Sequence, residues 1–164
     1  MQNLDSIQNE MDFFINSFKS LFIASFSSHP VASYAPFIKE NDSFYICISS
    51  VAEHFEAIRS NSDQISIMFL EDESSASTVF ARKRASFRVK ATFFENEPRD
   101  ELFDKFQAKF KDEPVLEIIK NMLDFHIVKL DVLEGRFVKG FGKAYGTDGL
   151  KVVSHIAKSH IKNI

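Results

Sequence analysis

Two histidines close to the carboxy end, His155 and His160, are the first residues whose type and spacing bear on chemistry. If the tail is helical, each residue advances about 100°, so rings five apart diverge by roughly 140° and cannot share one metal ion; an i, i+4 pair would be needed for that. One imidazole is nevertheless enough to hold the iron of a macrocycle such as haem. His160 would share a stripe with Val153, Ile156 and Ala157, and its ring would emerge beside apolar surface, whereas His155 falls off that stripe. The plainer alternative is two solvated histidines on a fraying terminus. Asp124 precedes a run that carries His126, Val128, Leu130 and Val132 on one face. A carboxylate that accepts from the far nitrogen of a ligating histidine would fix its tautomer and raise its basicity. A turn residue ahead of a strand is the simpler reading, and His126, on an apolar row, reads as a core histidine.

Arg82-Lys83-Arg84 is a compact basic cluster, with Arg88 following. Guanidinium groups match a carboxylate or a phosphate with paired donors, so the cluster could hold an anionic cofactor. It could equally offset Glu71-Asp72-Glu73 at the surface. His54 opens a short helical stretch and could support an anion site there. The five glycines, Gly135, Gly140, Gly142, Gly146 and Gly149, all lie in one short segment. Either the backbone there cradles a phosphate, or a bulged strand runs into a turn, and the spacing favours the second. Gly140-x-Gly142-x-x-x-Gly146 is not the dinucleotide fingerprint. No Ser-His-Asp or Cys-His arrangement stands out, and Cys47, between Ile46 and Ile48, reads as a small core residue.

These residues need a scaffold. The 164 residues make a natural single-domain length, with 45% apolar and 26% charged side chains, as in globular proteins,. Nineteen Phe and no Trp imply a core of large rings,. A net charge of −3 gives no support to nucleic acid or an anionic membrane as partner,. No apolar run is long enough to span a bilayer, and the first residues lack the basic and apolar regions of a signal peptide, so the expectation is a cytoplasmic protein.

Leu4, Ile7, Met11, Phe14, Ile15 and Phe18 predict an amphipathic helix over 4–18,. Strands are predicted at 21–26, 31–38, 43–49, 64–70, 85–94, 124–133 and 136–141, helices at 51–59, 99–110 and from Pro114, and a helix-like tail over 150–161,. Several strand pairs are joined by loops too short for crossover helices, so a Rossmann pattern fits worse than a mainly β fold, an antiparallel barrel with peripheral helices.

Ala32-Ser33-Tyr34-Ala35-Pro36-Phe37, Ile48-Ser49-Ser50-Val51-Ala52-Glu53-His54, Ile65-Ser66-Ile67-Met68 with Glu71-Asp72, Phe80-Ala81-Arg82-Lys83-Arg84, Asp124-Phe125 and the block from Gly135 to Tyr145 occur in this order. Together they resemble the HugZ/HutZ family of bacterial haem-utilisation proteins, from about residue 20 to the end. The resemblance implies the split β-barrel of the pyridoxamine 5'-phosphate oxidase-like, FMN-binding proteins, as one domain over 1–164 with a haem-contacting tail over 146–164. It implies a homodimer that binds haem between protomers and degrades it with oxygen and a separate electron donor, releasing iron. His160 matches the iron ligand of that family, with His155 the weaker alternative, and Asp124 matches the aspartate that supports the ligand from the partner subunit. Arg82, Lys83, Arg84 and His54 carry over as cofactor-binding positions. Retained FMN chemistry, or haem carriage and storage without turnover, are the alternatives.

Overall fold

The computed structural model describes residues 3–94 and 99–156. Helix α1 (Leu4–Asn16) forms where the expected stripe buries Ile7, Met11, Phe14 and Ile15. Asn3 caps it, its side chain accepting the Asp5 N–H at 3.0 Å,. The helix stops short of Phe18, whose ring turns onto Phe14 and Phe69 at centroid distances of 4.9 and 5.7 Å.

Strands β1 (Ser20–Phe26), β2 (Pro30–Glu40) and β3 (Ser43–Ser49) lead to helix α2 (Glu53–Ser60) and strand β4 (Ile65–Leu70). After a single helical turn, Val79–Ala81, come β5 (Arg84–Phe93), α3 (Arg99–Lys109), α4 (Val115–Lys120), β6 (Phe125–Val138), β7 (Ala144–Asp148) and β8 (Lys151–His155). The sheet order is β3-β2-β1-β4-β5-β6-β7-β8, and β3 also pairs with β6, so six antiparallel strands close into a barrel. Closure leaves none of these six with an unpaired edge along its whole length.

The barrel interior follows from period-two alternation. Leu21 and Ile23 of β1 and Ala85, Phe87, Val89 and Ala91 of β5 are buried, while their neighbours face outward. Phe37, Phe44, Phe69 and Phe87 interlock inside, with centroids 5.2 to 6.5 Å apart, which is the large-ring core expected from composition. Burying each phenyl ring contributes on the order of 2 kcal/mol. A second apolar layer, with Ile38, Cys47, Phe103, Phe106 and Ile127, lies between the barrel wall and helices α3 and α4. Cys47 is buried there, and desolvation pushes its thiol pKa up to about 12.

Two sequence expectations are corrected. The segments 124–133 and 136–141 are one strand, β6, which continues through a bulge: Arg88 pairs with Glu134 and Val89 with Val132, so Leu133 is surplus,. Apolar positions change phase across that residue, which mimics a strand boundary. The first half of β6 pairs with β3 and closes the barrel, and its second half pairs with β7. The helix-like tail over 150–161 is instead β8 as far as His155, paired with β7. Gly149-Leu150 makes the tight hairpin turn between the paired Asp148 and Lys151, with Gly149 at φ 54°,. The helical-wheel argument therefore fails for His155, and His160 lies outside the described residues.

Candidate functional site

The ends of β5 and β6, and the loop from β6 into β7, surround a groove of about 450 Å³ on the outer face of the sheet. Its floor is set by register: Ser86 pairs with Arg136, Arg84 with Val138, and Val138 with Ala144. Arg84 and Arg136 are therefore diagonal neighbours on adjacent strands, both outward because Ala85 and Phe137 fill the interior,. Neither guanidinium has a carboxylate partner among the described residues; Arg84 donates only to the Arg82 carbonyl, at 3.4 Å. Phe80, 86% exposed, and Phe141, 71% exposed, stand at the rim. Two uncompensated cations beside two solvent-facing rings suit a flat apolar ligand that bears anionic groups.

The basic cluster divides. Arg82 donates from Nε to the Glu71 carbonyl at 2.8 Å and from Nη1 to the Glu73 carboxylate at 3.2 Å. Lys83 pairs with Glu10 of α1 at 3.0 Å. Only Arg84 lines the groove. His155 sits nearby, its ring 5.0 Å from Tyr145 and its Nε2 3.1 Å from the Gly142 carbonyl, to which it donates.

The remaining candidates occupy the opposite end of β6. Asp124 accepts from Ser49 Oγ at 2.6 Å, and its carbonyl accepts the Ser50 N–H at 2.7 Å, which fixes it at the end of β3. His126 lies half-buried on the same row of β6 as Val128 and Leu130, paired with Ile48 and with its ring 5.0 Å from that of Phe55 of α2. His54 opens the same helix, with Nε2 buried and without a hydrogen-bond partner among the described residues. Along β6, Asp124 and Arg136 are separated by on the order of 40 Å. Among the described residues no cluster of three or more His, Cys, Asp or Glu could hold a metal ion, and no helix is long and apolar enough to cross a membrane. Local spacing does not single out Arg136, Phe80 or Phe141. The alternation Arg84-Ala85-Ser86-Phe87-Arg88, set beside Arg136-Phe137-Val138, carries the signal for the arginine.

Burial lowers the pKa of His54; it also lowers that of His126, where Arg99 and Arg59 add to the effect and Asp124 opposes it. Both rings therefore bind protons less readily in the folded chain, and acidification favours the unfolded state. Stability is expected to fall as pH drops below the ordinary imidazole value of about 6.5, and to level off, as far as these two groups act, below their folded pKa values. Thermal melts between roughly pH 7.5 and 5.5, above the carboxylate range, should show this decline, and His54→Gln should flatten it.

Comparison with known proteins adds to this geometry. The family model described as pyridoxamine 5'-phosphate oxidase matches residues 7–139. The haem oxygenase HutZ of Vibrio cholerae is 32% identical over 162 residues, which covers 95% of this chain and 90% of HutZ. The crystal structure of Campylobacter jejuni ChuZ matches with a TM-score of 0.90 and 41% identity, over 99% of this chain and 68% of ChuZ. A crystal structure of Vibrio cholerae HutZ, described there as a haem storage protein, matches with a TM-score of 0.67 at 24% identity, over 87% of this chain and 96% of HutZ; this likeness concerns the fold.

Proposed function

This chain belongs to the pyridoxamine 5'-phosphate oxidase family, in its HugZ/HutZ haem-utilisation branch, and from that membership we propose that it binds haem in the groove beside Arg84 and Arg136 and degrades it, acting in the cytoplasm. The observation that carries this reading is the pair of uncompensated guanidinium groups flanked by Phe80 and Phe141. A porphyrin is a flat apolar ring with two carboxylates, so the arginines would take the propionates and the phenyl rings would cover the macrocycle. The iron supplies the redox chemistry, with oxygen and an external electron donor; the chain supplies binding, orientation and electrostatics.

His160 would ligate the iron through one imidazole nitrogen, with His155 as the weaker alternative because Nε2 of its ring is already engaged at Gly142. Asp124 would hold the other nitrogen of that histidine and raise its basicity. The length of β6 means that Asp124 cannot serve the groove of its own chain, which supports a homodimer in which each groove is completed by Asp124 of the partner subunit. Exposed apolar side chains such as Phe22, Tyr34, Val51 and Leu123 also support a covered surface,.

Storage without turnover is the second reading, favoured by the description of one relative's structure. A flavin-dependent oxidoreductase has less support, since of the three clustered cations considered for an FMN phosphate only Arg84 lines the groove.

Anaerobic hemin titration of the purified chain is expected to give a sharp Soret band, and ascorbate with air should then bleach it. A band that persists under those conditions would establish storage instead, and no band at all would end the haem reading. His160→Ala should shift the spectrum; an unchanged spectrum would remove that ligand assignment.

A further inference from the structure

The groove owes its shape to strand ends that carry a concentration of positive charge. Lys83 immediately precedes Arg84, and Lys139 immediately follows Val138, so the two lysines flank the Arg84–Val138 pair. Their side chains leave the sheet on the face opposite the arginine, toward α1. Both are largely shielded, with 30% and 16% of the side chain exposed. Like charges held close on neighbouring strands repel, and burial weakens the screening that water and salt would give.

One carboxylate meets both. Glu10 of α1 is ion-paired with Lys83 at 3.0 Å and also with Lys139. Burial tends to raise the pKa of Glu10, but hydrogen bonds and attraction from the two ammonium groups outweigh it and hold the carboxyl below its usual range. The helix is anchored separately at the β7–β8 turn. Gln8 donates to the Leu150 carbonyl at 3.0 Å and accepts the Val152 N–H at 2.8 Å. Lys139 also opens the loop that bears Phe141, its N–H donating to the Lys143 carbonyl at 2.9 Å.

We propose that Glu10 is a positioning residue for the groove: its carboxylate offsets the like charges of Lys83 and Lys139, which would otherwise push the ends of β5 and β6 apart, and so keeps Arg84 and the loop carrying Phe141 in place. The link to ligand rests on the haem reading above; the link to strand geometry does not. Without the carboxylate the two ammonium groups lose their shared counter-charge, with Lys83 left over the Phe14 ring at 5.9 Å, the strand ends splay, and the arginine and phenyl ring lose their common geometry.

Three variants test this, Glu10→Gln, Lys139→Met and the double Glu10→Gln/Lys139→Met, each read by backbone hydrogen exchange of the ligand-free chain and by hemin titration. Glu10→Gln is expected to speed exchange over residues 84–88 and 136–145 and to weaken hemin binding by about fivefold. The double variant should return both readouts to those of Lys139→Met, because the surviving ammonium group no longer faces a like charge. A packing role for Glu10 would not be rescued this way. If Glu10→Gln alone fails to fold, a double variant that folds and exchanges normally supports the proposal equally. Exchange changes confined to α1, or a double variant no better than Glu10→Gln, would overturn the proposal. Should the unaltered chain bind no hemin, the haem reading fails and the exchange data still decide the role of Glu10.

Discussion

Gly135→Ala is expected to lower the melting temperature of the ligand-free chain by about 10 °C, as measured by circular dichroism. A Cβ at this position would lie 2.3 Å from Cδ1 of Phe87 and 2.4 Å from the Ser86 carbonyl oxygen. The phenyl ring could swing away only by disturbing the packed aromatic core, and the carbonyl belongs to the paired strand and cannot yield without breaking the ladder. Forced overpacking of this kind costs about 3 kcal/mol, and in a domain of this size each kcal/mol corresponds to roughly 2–4 °C. Gly142→Ala is the informative control. Its φ is 67°, and nothing lies within 4 Å of an added Cβ, so only the left-handed backbone is penalised, by about 1 kcal/mol. Equal melting temperatures for the two variants would contradict the close approach of β5 and β6 at Gly135.

Removing both groove cations, in Arg84→Ala/Arg136→Ala, is expected to weaken hemin affinity by roughly a hundredfold. Each charge-assisted hydrogen bond to a propionate contributes about 1.5 kcal/mol, and together they amount to about two decades in the dissociation constant. Stability should change little, since neither side chain is tied to a carboxylate among the described residues. The singles should each weaken binding about tenfold if the two propionates are held independently. Raised salt should weaken binding to the unaltered chain more than to the double variant. A double variant that binds hemin as well as the unaltered chain does would move the site elsewhere on the molecule.

Much of the barrel is legible in the sequence because local pattern and final packing agree. Helix α1 declares itself through apolar residues three and four apart, and β5 through strict alternation; in both the apolar stripe is the set that becomes buried, whereas β1 is a nearly continuous apolar run of which Phe22 and Phe26 stay exposed. β6 is harder to read, since a phase change in a hydrophobic row looks the same whether a strand ends or merely bulges, and only the partner strand tells them apart. The β7–β8 hairpin hides because Val152, Val153 and Ile156 fit a helical stripe about as well as a strand, and Gly149 is its one local turn cue.

The site divides along a different line. Arg84 stands out because its neighbours are basic. Arg136 belongs to the glycine-bearing block but comes beside Arg84 only through the register of β5 and β6. The same register separates Asp124 from the groove, and local spacing contains no trace of either relation. Phe80 and Phe141 read as two more phenylalanines among nineteen until their exposure sets them apart.

The surplus Leu133 has one more consequence. Upstream of it the even-numbered Val128 and Leu130 point inward, and downstream the odd-numbered Phe137 does, so one residue inverts the parity of the strand,. A homologue lacking it would keep every side chain of the groove in its sequence and yet turn the guanidinium of Arg136 toward the oily interior and Phe137 toward water. In this stretch of chain, insertions and deletions would therefore be read by the fold as changes of chemistry rather than of length.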